Sequence, residues 1–307
     1  MSFFLGKDLC RISSMYILSD KRGKTAASVF WRLCSSFLFT VQWSIHKKFN
    51  WGNRIVIVRR PFSYYNKYHA KESVVIKMKS CCAVIVAAGS SSRMGGDRSK
   101  QFLPLLGEPA IAYTLAAFER AESITAMIVA ARPEDFEELQ KIIQEKGFGK
   151  VKGIVSGGKS RQESVAAGVA QAGEFDYFAI HDGARPLVLP EEIDRVVQDA
   201  FQFRASALAV PVKDTIKIVD QNGMVLATPD RSLLWAVQTP QVFESSLYRQ
   251  AMHLAYEQGK DYTDDCQLVE AAGEGVHLCM GSYSNLKLTT QDDIPAAEAV
   301  LKGRKQR

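Results

Sequence analysis

The run Cys82-Ala-Val-Ile-Val86 is short, β-branched and uncharged, and it leads directly into Ala87-Ala-Gly-Ser-Ser-Ser-Arg-Met-Gly-Gly-Asp-Arg-Ser-Lys-Gln101. A strand with no polar face reads as one covered on both sides, at the centre of a parallel sheet. Glycines and serines placed just after such a strand leave backbone N–H groups free to face an anion. Arg93 and Lys100 add positive charge a few residues on. Strand, glycine-rich turn and two cations together read as a site for the phosphates of a nucleotide. Two common forms of such a site are excluded by spacing. The G-x-x-x-x-G-K-[ST] pattern fails because Gly89 and Gly95 are six apart and Asp97 follows Gly96. The G-x-G-x-x-G pattern fails because Ser91 stands where its second glycine should be.

Downstream, apolar runs alternate with helical spacing. Ile111, Leu115 and Phe118 share one helix face, and Ala126-Met-Ile-Val-Ala-Ala131 is a second buried strand. Pro133 with Glu134 and Asp135 opens a helix that Gly147 ends. A third strand over 151–155 runs into Ser156-Gly-Gly-Lys-Ser-Arg-Gln-Glu-Ser164 and a helix to about 172. A fourth, 177–180, ends at His181-Asp-Gly-Ala-Arg-Pro186, and a helix over 191–203 precedes a strand over 205–212. This alternation predicts an α/β fold, a Rossmann-like, mostly parallel sheet with helices on both faces. Ligands of such sheets bind at the carboxyl ends of the strands. The polar segments 88–100, 156–164 and 181–186 each follow a strand, so they are expected to converge.

The pattern changes at Lys213-Asp-Thr-Ile-Lys-Ile-Val-Asp-Gln-Asn-Gly-Met-Val-Leu-Ala-Thr228, which alternates with period two around Asn222-Gly223, a strong hairpin signal. A lone ribbon bearing Ile216, Ile218, Val225 and Leu226 is marginal in water. A protruding β-arm over about 213–232 is therefore expected to lie against something. The segment 234–243 returns to the sheet, followed by helices over 245–258 and 264–272. Thr263-Asp-Asp265 opens the second of these as a plain N-cap cluster. Short strands over 276–280 and 286–288 and a last helix to about 302 complete the pattern.

Charge divides the chain. Residues 1–77 hold 14 Lys/Arg against Asp8, Asp20 and Glu72, a net of +11, which leaves the remaining residues at −5 although the whole chain is +6. A nucleic-acid partner argued from net charge would rest on the first 77 residues alone. That segment has three readings: a basic, acid-poor transit peptide, a short accessory module, or upstream sequence read in frame with the natural start at Met78. The third is favoured, with little ordered structure before residue 78 apart from local helix in 25–45, and with 78–307 as the catalytic domain. The six cysteines form no C-x-x-C pair or zinc-spaced cluster and read as free thiols of a reducing compartment. No apolar run approaches the ~18 residues of a membrane span.

The string A-A-G-S-S-S-R-M-G-G-D-R-S-K-Q-F-L resembles the signature loop of sugar nucleotidyltransferases, and most closely that of the 2-C-methyl-D-erythritol 4-phosphate cytidylyltransferase family. Four further segments are similar to motifs of that family: Gly157–Ser164, His181–Pro186, the arm with Arg231-Ser-Leu-Leu-Trp235, and Ser284-Asn-Leu-Lys-Leu-Thr289. The resemblance covers residues 80–303. It implies transfer of CMP from CTP to 2-C-methyl-D-erythritol 4-phosphate, giving 4-diphosphocytidyl-2-C-methyl-D-erythritol and pyrophosphate, in non-mevalonate isoprenoid precursor synthesis. It further implies Mg²⁺ and a homodimer joined through the β-arm, with neither a nucleic-acid nor a membrane partner.

Carried over residue by residue, the resemblance gives Arg93 and Lys100 to the triphosphate, where the ordinary alternative for each is a solvated loop charge. Asp182 becomes the metal and nucleotide ligand, and Arg185 an orienting residue. Ala87, Ala88, Gly89, Gly158 and Ser164 frame the cytosine. Lys287 goes to the substrate phosphate. A lysine in an apolar segment is expensive unless it snorkels or meets an anion, which favours that role. Asp214, Thr215 and Arg231 would reach the acceptor from the partner's arm, and Thr239 from the same subunit. Decoration of the hairpin stands close beside this reading for Thr215 and Arg231. Ribitol 5-phosphate is the rival acceptor, and a nucleotide-binding regulator without turnover is the rival class. Location follows the leader: cytoplasmic for a start at Met78, a plastid if residues 1–77 are a genuine transit peptide.

Overall fold

The computed structural model describes residues 16–19, 25–29, 41–51, 54–61, 73–77, 79–89 and 99–305, with side chains for 79–89 and 99–304. The chain divides into two compact units, Met1–Met78 and Lys79–Arg307. In the first unit, β1 (Tyr16–Ser19), β2 (Thr25–Val29), β3 (Val41–Trp51), β4 (Arg54–Pro61) and β5 (Ser73–Lys77) pair antiparallel in sequence order. Local helix was expected over 25–45; 25–29 and 41–45 of that span are strand, and 30–40 lie outside the described residues. The β-branched run Ile55-Val-Ile-Val58 favours a pleated partner, and the Gly-Asn pair between Trp51 and Arg54 is itself a hairpin dipeptide in sequence.

The second unit is built on a seven-stranded sheet. Its strands are β6 (Cys81–Ala87), β9 (Ala126–Ala131), β10 (Val151–Ser156), β11 (Tyr177–Asp182), β12 (Ala205–Pro211), β15 (Trp235–Glu244) and β16 (His277–Met280), in the order β10-β9-β6-β11-β15-β12-β16. Only β15 runs against the others. Alternation along β6 explains the two-sided core. Cys81, Ala83 and Ile85 pack beneath α1 (Ala110–Arg120), α2 (Phe136–Lys146) and α4 (Pro190–Phe203), whereas Cys82 and Val84 face α3 (Arg161–Ala172), α5 (Ser245–Glu257) and α6 (Asp265–Ala271). A small third cluster joins the short pair β7 (Pro104–Leu105) and β8 (Glu108–Pro109) to α7 (Asp293–Lys305) through Leu105, Leu288 and Leu301. Among the described residues no helix is long and apolar enough to cross a membrane.

The register levels the carboxyl ends. Ala87 stands opposite Ala131, Ala131 opposite Ser156, and Val86 opposite Asp182. Antiparallel β15 pairs Ile180 with Gln241 and so carries Thr239 to the same edge. The arm is a short hairpin, β13 (Ile218–Val219) with β14 (Val225–Ala227). Gly223 at φ +80° takes the left-handed position, and the Asp220 carboxylate accepts from the N–H groups of Asn222 and Met224. Residues 286–288, expected as a strand, are an irregular segment instead, with Leu288 buried and its N–H donating to Ala184 O.

Candidate active site

At the levelled strand ends lies a cavity of about 540 Å³ whose lining includes Ala88, Gly89, Lys100, Gly158, Asp182 and Lys287. Each of the three polar segments singled out in the sequence contributes to it. Arg93 lies outside the described residues. Lys100 opens a single 3-10 turn, Lys100–Phe102, anchored where the Gln101 amide donates to Ala87 O.

The 157–164 segment is a tight turn that feeds α3. Ser160 caps the helix by accepting from Glu163 N–H. The Ser164 hydroxyl donates to Ser160 O (2.9 Å) and accepts from Gly158 N–H (3.0 Å). Side chains are excluded at both glycines: a Cβ on Gly157 would stand 2.1 Å from Ala88 Cβ, and one on Gly158 2.2 Å from Glu163 Cβ. Ser164, expected at the base, lines the cavity, and its hydroxyl proton goes to the turn, so it also shapes the wall carrying Gly158.

Asp182 ends β11 with both carboxylate oxygens engaged. Oδ1 meets Arg161 Nε at 3.2 Å, while Oδ2 meets Lys287 Nζ at 2.8 Å and Arg185 Nε at 3.8 Å. Burial acts to raise this carboxyl, but Arg161, Lys287 and Arg185 outweigh it and hold it well below the usual carboxylate range. It is ionised at every working pH. Arg185 also donates from Nη1 to Asn285 O (2.8 Å), tying the turn after β11 to the segment that carries Lys287.

Behind Asp182 runs a chain of hydrogen bonds that fixes a histidine tautomer. His181 Nε2 lies 3.2 Å from Arg185 O, so it must carry the proton. Nδ1 is then the acceptor for the Thr239 hydroxyl at 3.0 Å, and that hydroxyl accepts from the Asp182 N–H at 3.1 Å. Thr239, expected to hold the acceptor directly, is buried and occupied with positioning Asp182. His181 is fully buried, which pushes its imidazole down to about 3 despite the opposing pull of Asp182. The folded state thus refuses a proton that the unfolded chain accepts. Stability falls as pH drops below about 6.5 and keeps falling toward 3, by about 1.4 kcal/mol per pH unit for this group. Urea titrations are expected to show the parent losing stability relative to His181→Asn across that window; a constant difference between the two would remove this account.

Two residues the sequence reading passed over belong to the site. Arg161, the middle of Gly-Gly-x-x-Arg-x-x-Ser, donates from Nη1 to Asp265 Oδ2 at 2.6 Å while it holds Asp182. In the cluster read as a simple cap only Asp264 caps α6, accepting from Gln267 N–H, and Asp265 turns inward. Asp214, Thr215 and Arg231 are exposed on the arm and do not line the cavity; Arg231 donates to Lys213 O.

Glycine turns lined by Lys100, Lys159, Arg161 and Lys287 around the Asp182 carboxylate, with Arg185 and Asp265 behind them, make a pocket for a polyphosphate. Among the described residues no side chain there is poised as a covalent nucleophile beside a base. Fold and pocket define a nucleotidyltransferase. Comparison with known proteins is specific. The model of the 2-C-methyl-D-erythritol 4-phosphate cytidylyltransferase family matches residues 81–303. Enzymes of that name from Desulforamulus reducens and Caldanaerobacter subterraneus are 46% and 45% identical, over 74% and 72% of this chain and 98% of each relative. The crystal structure of 4-diphosphocytidyl-2C-methyl-D-erythritol synthase from Anaerococcus prevotii superposes with a TM-score of 0.65 at 31% identity, covering 73% of this chain and 99% of that one. That of the Thermus thermophilus cytidylyltransferase gives 0.59 at 31%, over 71% and 98%. The chain belongs to the 2-C-methyl-D-erythritol 4-phosphate cytidylyltransferase family.

Proposed function

We propose that this protein transfers CMP from CTP to 2-C-methyl-D-erythritol 4-phosphate, releasing pyrophosphate, as a step of isoprenoid precursor synthesis. The observation that carries the reading is the convergence of Lys100, Asp182 and Lys287 on one cavity walled by the Gly158 turn. An oxygen of the acceptor phosphate forms the new bond to the α-phosphorus, and the α–β bridging bond breaks with its electron pair leaving on pyrophosphate. A phosphate nucleophile is already largely ionised at pH 7, its second pKa being about 6. No general base is then needed, in keeping with a neutral, buried His181.

Catalysis becomes a matter of positioning and charge. Lys100, with Arg93, neutralises charge growing on the α-phosphate, and Lys287 faces the acceptor phosphate. The backbone of Ala87, Ala88, Gly89 and Gly158 frames the cytosine. Asp182 is the proposed Mg²⁺ ligand. Among the described residues no three His, Cys, Asp or Glu cluster to form a metal cage. A single carboxylate at a phosphate pocket nevertheless suits magnesium, which keeps waters and takes substrate phosphates as its other ligands. When bound, the ion would supply charge neutralisation on the triphosphate.

The arm is proposed to join two copies and to present Asp214, Thr215 and Arg231 to the partner's cavity. The exposed Ile218, Val219, Met224, Val225 and Leu226 on one small hairpin support a covering second subunit. The activity is assigned to Lys79–Arg307, which contains every residue matched to the family. A reducing, cytoplasmic setting suits the buried, unbridged Cys81, Cys82, Cys266 and Cys279. Pyrophosphate release from CTP and Mg²⁺ is expected with 2-C-methyl-D-erythritol 4-phosphate and to be at least tenfold slower with ribitol 5-phosphate. Release with neither acceptor would remove the enzymatic reading.

A further inference from the structure

Arg161 divides its guanidinium between two acids that differ in what they face. Asp182 lines the cavity, whereas Asp265 is 2% exposed and absent from the lining. Asp265 is held from behind. The Tyr248 hydroxyl donates to its Oδ1, and Gln241 Oε1 accepts from the N–H groups of Asp265 (3.0 Å) and Cys266 (3.1 Å). Gln241 belongs to β15 and is itself buried, so the counter-ion of Arg161 is fixed to the sheet and not to a loop.

Stability alone does not explain such a pair. Buried charges of this kind are commonly replaced by apolar residues of similar volume without loss, because desolvation offsets their attraction. An apolar pair, however, cannot aim a donor. Here the N-terminal residue of α3 aims Nε at Asp182 Oδ1, while Lys287 and Arg185 take Oδ2. The carboxylate plane is therefore set from three separate parts of the chain.

The geometry points to Asp265 as a positioning residue: backed by Tyr248 and Gln241, it clamps Arg161 so that Arg161 orients the Asp182 carboxylate, and it touches no substrate itself. This deepens the proposed function and rests on Asp182 acting at the metal-nucleotide complex.

In the full chain, Asp265→Asn is expected to raise the Mg²⁺ concentration for half-maximal turnover by about 10–100-fold, the scale of outer-shell effects on metal sites. Tyr248→Phe is expected to move it in the same direction by less. Equilibrium dialysis of CTP should show its Mg²⁺-dependent gain in affinity reduced to match. Removing one charge of a buried pair can also unfold a protein, so the double variant Arg161→Met/Asp265→Leu is the companion measurement. It leaves neither of these charges orphaned, is expected to melt near the parent, and should show Asp182 rotated away from α3 in a crystal structure. An unchanged Asp182 pose in that variant overturns the inference whatever the activity. So does an Asp265→Asn protein with parental Mg²⁺ dependence, or with tighter CTP binding, as a freed Arg161 gripping phosphate directly would give. A parent that releases no pyrophosphate with either acceptor overturns the reading of function instead and leaves the pose test standing.

Discussion

Lys100→Ala is expected to lower kcat by about 10³-fold while shifting Tm by no more than about 2 °C. The first figure follows from what the lysine faces. It stands at the edge of the cavity, where it can meet negative charge that grows only as the α-phosphorus becomes pentacoordinate. Losing one preorganised charge of that kind costs roughly 10²–10³ in rate for an oxyanion donor and up to about 10⁵ for an arginine finger. The second figure follows from where the side chain is not. Lys100 is only partly buried, whereas its neighbours Gln101 and Phe102 are the buried members of the 3-10 turn. Substitutions away from a core usually stay within about 0.5 kcal/mol, and in a domain of this size 1 kcal/mol moves Tm by roughly 2–4 °C. Single-turnover kinetics beside a melting curve separate the two effects. A Tm that collapses together with kcat would mean Lys100 holds the fold, and the catalytic assignment would go with it. Lys100→Arg is expected to recover only part of the rate, because a planar fork does not replace a compact ammonium.

Much of this was legible in the sequence because the sheet writes itself plainly. A strand covered on both faces has to be apolar at every position, and Cys82–Val86, Ala126–Ala131 and Tyr177–Ile180 are. Such unbroken apolar runs could not say which residues face which helix layer, but where they stop fixed the strand ends, and the polar segments behind them meet as expected. Asp182 and Lys287 are 105 positions apart yet 2.8 Å from each other. Asp265 was missed for a physical reason. An acidic pair at a helix start satisfies a local rule, so Asp264 explained the pattern and nothing local marked its neighbour as turned inward. Arg161 was missed likewise, since its partners lie 21 and 104 residues away. Thr239 was placed at the correct edge, but its hydrogen bonds to His181 and Asp182 were not foreseen: sequence shows a hydroxyl near the site and not which groups it meets. The strands described between 16 and 77 were overlooked because net charge and aromatic content dominated the reading, although Ile55-Val-Ile-Val58 and Val74-Val-Ile76 are β-branched runs.

Asp182→Asn is expected to be the more damaging substitution, with kcat lowered at least 10³-fold and stability lowered as well. The isosteric amide keeps the backbone N–H that donates to Thr239, so the His181 chain survives. What goes is, among the described residues, the only carboxylate on the cavity, and it separates Arg161, Arg185 and Lys287, leaving Asp265 as the sole described acid among them. Breaking a buried pair by removing one partner costs about 3–5 kcal/mol, or roughly 10 °C in Tm at this size. The loss has a definite pH dependence. Because the folded carboxyl lies below its unfolded value, its stabilisation is fully present above the ordinary carboxylate range and is lost as pH falls through the folded value. Parent and variant are therefore expected to differ most near pH 7 and to converge in strong acid. Binding separates this from simple damage. In a chelator, CTP is expected to bind the variant as tightly as the parent or more so, since a negative charge facing the phosphates has gone, whereas added Mg²⁺ should no longer strengthen binding. Titration calorimetry with and without the ion decides it: if Mg²⁺ strengthens CTP binding equally in both proteins, Asp182 is not the metal ligand and the pocket grips its nucleotide through cations alone.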